Sequence, residues 1–297
     1  MISANDKQAT PASTHPQFKR HIKKFSIIVA IIVFSGCAQI NLPVSLSTNK
    51  SGEAVRISLP DSSVYTGETK NGRFHGQGKL QWRNGANYAG PFKNGVFYGI
   101  GRLETVTGDT YEGRFRQGLY DGIGILTFLN GNQYHGNFKN NLMEGKGTFL
   151  YSNGDRYEGL FQKGLFQGKG NLFIRYKGRY QGDFEQGKFE GSGVFVYKTG
   201  KKYAGEFHNG RFHGKGVLTL ENGSQYVGEF KHGKFNGKGK LTWVNGNYYL
   251  GFFKENQMHG VGKCKRRKIV SRCEYKNNKL LRFGSDQQNT RNRRYQT

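Results

Sequence analysis

The chain has 297 residues, with 46 Lys or Arg against 20 Asp or Glu, giving a formal net charge of +26. Only 35% of residues are hydrophobic while 14% are aromatic, which excludes a bulky aliphatic core and suits thin sheets packed by rings. The positive balance directs attention to anionic partners such as membranes, acidic polymers or nucleic acid.

Residues 1–24 are polar and end in a basic cluster, Lys19, Arg20, Lys23 and Lys24. An apolar run from Phe25 to Phe34 follows, then Ser35-Gly36-Cys37. The run is short for a membrane span, which needs ~20 residues, and normal for the core of a signal peptide. Small residues directly before a cysteine resemble the bacterial lipobox, which implies that Cys37 carries diacylglycerol and becomes the mature N-terminus. Phe34 departs from that pattern, standing where Leu is usual. Ala38 after the cysteine resembles outer-membrane sorting in Gram-negative bacteria. The alternative is an uncleaved inner-membrane signal anchor over 1–36 with Cys37 inert. In both cases the positive cluster stays inside and the remainder lies outside the cytoplasm.

Beyond Cys37, residues up to 52 are rich in Ser, Thr, Asn and Lys and read as a flexible tether. Val55, Ile57 and Leu59 alternate, predicting a capping strand within 53–64 that covers an open sheet edge. From Tyr65 one motif governs the chain. Tyr-x-Gly recurs at Tyr65, Tyr88, Tyr111, Tyr134, Tyr157, Tyr180, Tyr203, Tyr226 and Tyr249, a step of 23 residues each time. Gly-x-Gly follows each tyrosine eleven residues behind, from Gly76/Gly78 to Gly260/Gly262. A fixed period of this kind marks a repeat array. Of 45 glycines, all but Gly36, Gly52, Gly178 and Gly284 fall in five columns of the repeat. Two columns, seen in Asn71-Gly72 and Asn84-Gly85, read as tight hairpin turns. The other three lie inside strands, where a glycine leaves room for a ring from the adjacent strand. Gly178 marks a one-residue shift in the fifth copy.

Between turns the apolar spacing is two, as in Leu80/Trp82, Leu126/Phe128 and Leu241/Trp243. Each repeat is therefore a hairpin too small to bury its apolar face alone. Stacked copies bury it jointly, giving an all-β, elongated solenoid or meander. At ~4.8 Å per strand, nine copies would reach roughly 85 Å. After the ninth copy, which ends at 271, residues 272–283 keep the outline of a repeat but lose its glycines, as a terminal cap does. The segment 284–297 reads as a disordered basic tail.

Tyr226-Val-Gly-Glu-Phe-Lys-His-Gly-Lys-Phe-Asn-Gly-Lys-Gly resembles the MORN repeat, and the likeness covers 65–271. Asn141 and Asn256 replace turn glycines, and Met143 and Met258 replace an aromatic residue. The resemblance implies a binding and assembly element, engaging membrane lipid or protein, including further copies of itself. Enzymes that carry such repeats add a kinase or SET catalytic domain, and neither is expected after residue 271.

No other constellation competes. None of the Gly-x-Gly motifs completes a nucleotide-binding pattern between a strand and a helix. His75, His213 and His259 share a column, but His213 and His259 stand roughly 19 Å apart, too far to share one metal ion. His208 and His213 are closer and lack a partner set. No catalytic residues, cofactor or metal are expected.

Two further features carry predictions. Lys70, Lys93, Arg116, Lys139, Lys231 and Lys254 stand five residues after their tyrosines, a positive stripe with a gap at Gln162, Glu185 and His208. Spaced by ~10 Å, comparable to the Debye length, these charges would act together on an anionic surface. The plain alternative is a solvated face. Laid on the 23-residue register, a two-residue turn at Lys268-Ile269 places Cys264 opposite Cys273, within reach of a disulfide in an oxidising compartment. The sequence thus predicts a non-enzymatic, membrane-tethered scaffold for protein partners or self-association. Docking on anionic lipid headgroups or lipopolysaccharide is the alternative. Nucleic acid and small-molecule substrates are not expected.

Overall fold

In the computed structural model the described residues are 54–284. The apolar leader, Cys37, the tether and the basic tail lie outside them. Among the described residues the regular structure is entirely β, in 22 strands. The described residues divide into two compact units, 54–175 and 176–284.

The first unit holds β1 (Ala54–Ser58), β2 (Val64–Lys70), β3 (Arg73–Gln81), β4 (Asn87–Lys93), β5 (Val96–Phe97) and β6 (Gly99–Glu104). It continues with β7 (Thr110–Arg116), β8 (Leu119–Thr127), β9 (Gln133–Lys139), β10 (Leu142–Leu150), β11 (Arg156–Gln162) and β12 (Leu165–Ile174). The second unit holds β13 (Gly178–Glu185), β14 (Lys188–Tyr197), β15 (Lys202–His208), β16 (Arg211–Thr219) and β17 (Gln225–Lys231). It ends with β18 (Lys234–Thr242), β19 (Tyr248–Lys254), β20 (Gln257–Arg266), β21 (Ile269–Lys276) and β22 (Lys279–Phe283). Within each unit neighbouring strands pair antiparallel in chain order, a short strand alternating with a long one. In the second copy Tyr98 interrupts the long strand, giving β5 and β6.

One sheet face is packed by the tyrosine column. Tyr65 stacks on Phe74 at 3.8 Å between centroids and meets Phe92 of the next repeat edge-on at 5.3 Å. The same pair of contacts recurs at Tyr203, with Phe212 at 3.7 Å and Phe230 at 5.0 Å. Each such ring pair contributes ~0.5–1.5 kcal/mol beyond its buried area. Each ring lies over two glycines, so a Cβ on Gly78 would stand 2.6 Å from the Tyr65 hydroxyl, and one on Gly67 equally close. The hydroxyl donates to the carbonyl three residues on, as Tyr111 does to Arg114 at 2.9 Å. Glycine in these two columns is thus the space the ring occupies. The third strand column differs: Gly76 has φ +58° and lies in the bulge where residues 75–77 of β3 stand against Glu68 alone of β2.

The two turn columns are also distinct. Asn71 and Gly72 both have positive φ and join Lys70 directly to Arg73, a two-residue type I′ turn. At Asn84-Gly85 only the glycine is left-handed, and Trp82 bonds to both Gly85 and Ala86 across a three-residue loop. This is a type I turn with a glycine bulge, and the expectation of a tight two-residue turn there is corrected.

At the first edge β1 pairs with β2, setting Ile57 opposite Tyr65 as Leu80 is set opposite Tyr88. At the other end β20 and β21 close on a turn one residue shorter than the regular loop, so Arg266 faces Ile269 and Cys264 faces Ser271. The expected pairing of Cys264 directly with Cys273 is therefore corrected: Cys273 faces Gly262, and the two cysteines are diagonal neighbours. Ile269 stands where the regular loop needs a left-handed glycine, a conformation a β-branched residue resists. The hairpin closes instead through Arg267, at φ 55°.

Candidate interaction surfaces

The face opposite the rings carries the alternate residues of every strand. Ile100 and Ile123 sit there between the glycines of their Gly-x-Gly motifs, 76% and 75% exposed. Ile100 faces Arg114 and Ile123 faces Asn137. In the second unit the same face presents Val227, Leu250, Phe252 and Val261, all about half exposed. The sequence reading followed only the inward alternation and missed these residues. Their signal is an apolar residue in columns that other repeats largely fill with polar ones such as Gln, Lys, Thr or Glu.

All six cations of the positive stripe are exposed, each the last residue of its short strand. Their settings differ. Lys93 lies over the Tyr98 ring at 5.0 Å, and Arg116 is paired with Asp121 at 2.7 Å. Lys231 borders a shallow cleft with Glu206, His213, Lys215, Glu229 and Asn236. Lys70 and Lys139 close the first unit's column, and Lys254 ends the second's.

His208, His213 and His232 form a side-chain cluster, whereas the buried Nδ1 atoms of His75 and His259 have no hydrogen-bond partner among the described residues. His208 bonds Glu190 at 2.6 Å, and its ring lies 5.4 Å from that of His213, which lies 5.9 Å from His232. Burial works against ionisation of Glu190, but the Asn209 amide and the His208 ring together hold its carboxyl below the usual carboxylate range. Among the described residues no group of His, Cys, Asp or Glu could hold a metal ion. Burial pushes the hydroxyls of the column tyrosines well above the usual phenol range, so they stay protonated.

Cys264 and Cys273 are joined by a disulfide with Cα atoms 5.9 Å apart. The short turn keeps the repeat register, so Ser271 occupies the tyrosine column and Cys273 the glycine column behind it. With no ring over it, Cys273 can carry a side chain where Gly90, its counterpart, cannot. Side chains also tie repeat to repeat. Asn141, Asn256 and Asn278 stand in left-handed turn positions and accept the amides of Tyr120, Phe235 and Met258. Asp109, Asn132, Asp155 and Asn247 each accept an amide from the next loop, at 2.7–2.9 Å.

No helix among the described residues is long and apolar enough to cross a membrane. Comparison with curated proteins finds no match. Among solved structures, the TCP10 domain of Danio rerio CPAP, in complex with a STIL peptide, is 8% identical at a TM-score of 0.42. That match covers 78% of this chain and 98% of the other. The TCP domain of Drosophila melanogaster SAS-4, in complex with a proline-rich motif of Ana2, is 14% identical at a TM-score of 0.32. There the coverage is 62% of this chain and 96% of the other. The MORN repeat model matches at 65–86, 111–133, 134–156, 157–172, 180–202, 203–225, 226–248 and 249–268, more than half of the chain. The tyrosine stack, its paired glycines and these matched segments coincide, and the chain belongs to the MORN-repeat family.

Proposed function

We propose that the protein is a non-catalytic scaffold, tethered to a membrane through Cys37 outside the cytoplasm, that associates with protein partners. The observation that carries this reading is the division of labour between the two sheet faces. The rings saturate one face, while the other exposes Ile100 and Ile123 in one unit and Leu250 and Phe252 in the other. Exposed apolar patches rimmed by polar residues mark interaction sites. The test is capture from envelope extracts with the full-length protein at low and high salt. Proteins retained at high salt by the wild type, and lost with Ile100→Asp/Ile123→Asp or Leu250→Asp/Phe252→Asp, support the reading. Equal capture by all three proteins contradicts it.

A second reading is supported by the exposed stripe, which suits docking on anionic lipid or lipopolysaccharide phosphates. Such docking weakens steeply with salt, whereas apolar association does not. Lipidation of Cys37 is tested by mass spectrometry of the mature N-terminus; an unmodified Cys37 in an intact leader contradicts the tether.

A further inference from the structure

The exposed face of β19 forms an apolar ridge with cations on both flanks. Its outward residues are Tyr248, Leu250 and Phe252, followed by Lys254, and Leu250 and Phe252 are 46% and 50% exposed. On one side Lys240 stands opposite Leu250 and Lys238 opposite Phe252. On the other side Lys265 stands opposite Tyr248, Lys263 opposite Leu250 and His259 opposite Phe252. The ammonium groups lean on the rings: Lys240 lies 4.7 Å from the Tyr248 centroid and Lys238 lies 5.8 Å from that of Phe252.

The carboxylates nearby are engaged elsewhere. Glu255 is bonded to Lys234. The Glu229 side chain folds over the bulge at Gly237, filling the space a Cβ would take there. Glu274 faces Arg282 at 3.9 Å. No carboxylate stands directly across from Tyr248, Leu250 or Phe252 in either neighbouring strand. The Ile100/Ile123 patch of the other unit differs, since Glu112 stands across from Arg102 within it.

We propose that this ridge binds an extended acidic segment of a partner protein, in which aliphatic and acidic residues alternate. The inference rests on the scaffold reading and assigns the partner's chemistry at one surface. Alternate side chains of an extended segment repeat every ~6.6–6.8 Å, the spacing of Tyr248, Leu250 and Phe252 along their own strand. Laid along β19, the segment sets its aliphatic side chains on the ridge. Its carboxylates then point away from the sheet, within the field of Lys238 and Lys240 on one flank and Lys263 and Lys265 on the other. A matched period along a single strand favours an extended chain over a lipid surface, which has no register to match. Charge complementarity selects the sign, and burial of Leu250 and Phe252 provides the apolar contact.

The test uses the full-length protein and a synthetic nine-residue peptide alternating Glu with Leu or Val. The control peptides have Lys in place of Glu, or the same composition in scrambled order. Vesicles containing phosphatidylglycerol form a separate arm. The acidic alternating peptide is expected to bind at least tenfold more tightly than either control. Leu250→Asp/Phe252→Asp should abolish binding with only a small drop in melting temperature, since both side chains are about half exposed. Lys240→Glu/Lys263→Glu should reverse the preference towards the Lys peptide, a change that loss of fold cannot produce. Equal binding of all peptides, no binding of any, or binding to vesicles alone overturns the assignment. If envelope proteins are still captured and only Ile100→Asp/Ile123→Asp releases them, this assignment fails and the scaffold reading stands. No salt-resistant capture by the wild type sinks the scaffold reading itself.

Discussion

The repeat at 226–248 and the cap at 269–283 follow one register with opposite solutions to the same packing problem. In the repeat, Tyr226 lies over Gly228 and Gly239, and a Cβ on either would stand 2.4–2.6 Å from its hydroxyl. In the cap, Ser271 takes the tyrosine's place, and the glycine behind it is replaced by Cys273, cross-linked to Cys264. The ring and the glycines are a single device, so where one is lost the other is no longer required. The disulfide then holds a hairpin that has lost its stacked ring.

The largest effect expected from breaking this comparison is at the ring. Tyr226→Ala should cost about 3–5 kcal/mol of local stability, read as faster hydrogen exchange in β17 and β18, because it leaves a ring-sized cavity. Cys273→Ser should cost roughly 2.7 kcal/mol on the chain-entropy estimate, confined to the amides of β20 and β21. Gly228→Ala should cost about 1–3 kcal/mol by overpacking against the ring, whereas Gly246→Ala, which meets no atom within 4 Å, pays only for its left-handed backbone at φ +76°. A thermal melt that ranks these two glycines in the reverse order would break the link between ring and glycine.

Smaller effects sharpen the picture between repeats. Asn256→Ala should cost about 1 kcal/mol through loss of its bond to the Phe235 amide, seen as exchange of that one amide. Changing Lys70, Lys93, Arg116 and Lys139 together to Gln should shift stability by no more than about 0.5 kcal/mol per site, since all are exposed. In the Arg116–Asp121 pair the arginine side chain is 63% exposed, which keeps the pair's contribution small.

Much of this was legible in the sequence because the repeat is strict. The tyrosine and glycine columns gave the hairpins, their stacking and the inward face. Less legible was the difference between Asn71-Gly72 and Asn84-Gly85, identical dipeptides in a two-residue turn and a three-residue bulged loop. Loop length depends on which flanking residues pair, and the dipeptide does not record it. The cap's register turned on Ile269, whose resistance to a left-handed conformation removes one residue from the loop. The side-chain ladder from Asp109 to Leu129 and its counterparts was hidden, because Asp beside a turn also reads as a local turn former. The ridge of Leu250 and Phe252 escaped notice because an inward stack explains the array so fully that outward residues pass as filler.

The most direct test of the scaffold account is photo-crosslinking in intact cells. A photoreactive side chain is placed in turn at Ile123, at Leu250 and at Glu221, an exposed loop residue. The account predicts discrete protein adducts from positions 123 and 250 that persist at high salt, and none from 221. Adducts of equal yield from all three positions, or only lipid adducts from 123 and 250, would contradict it.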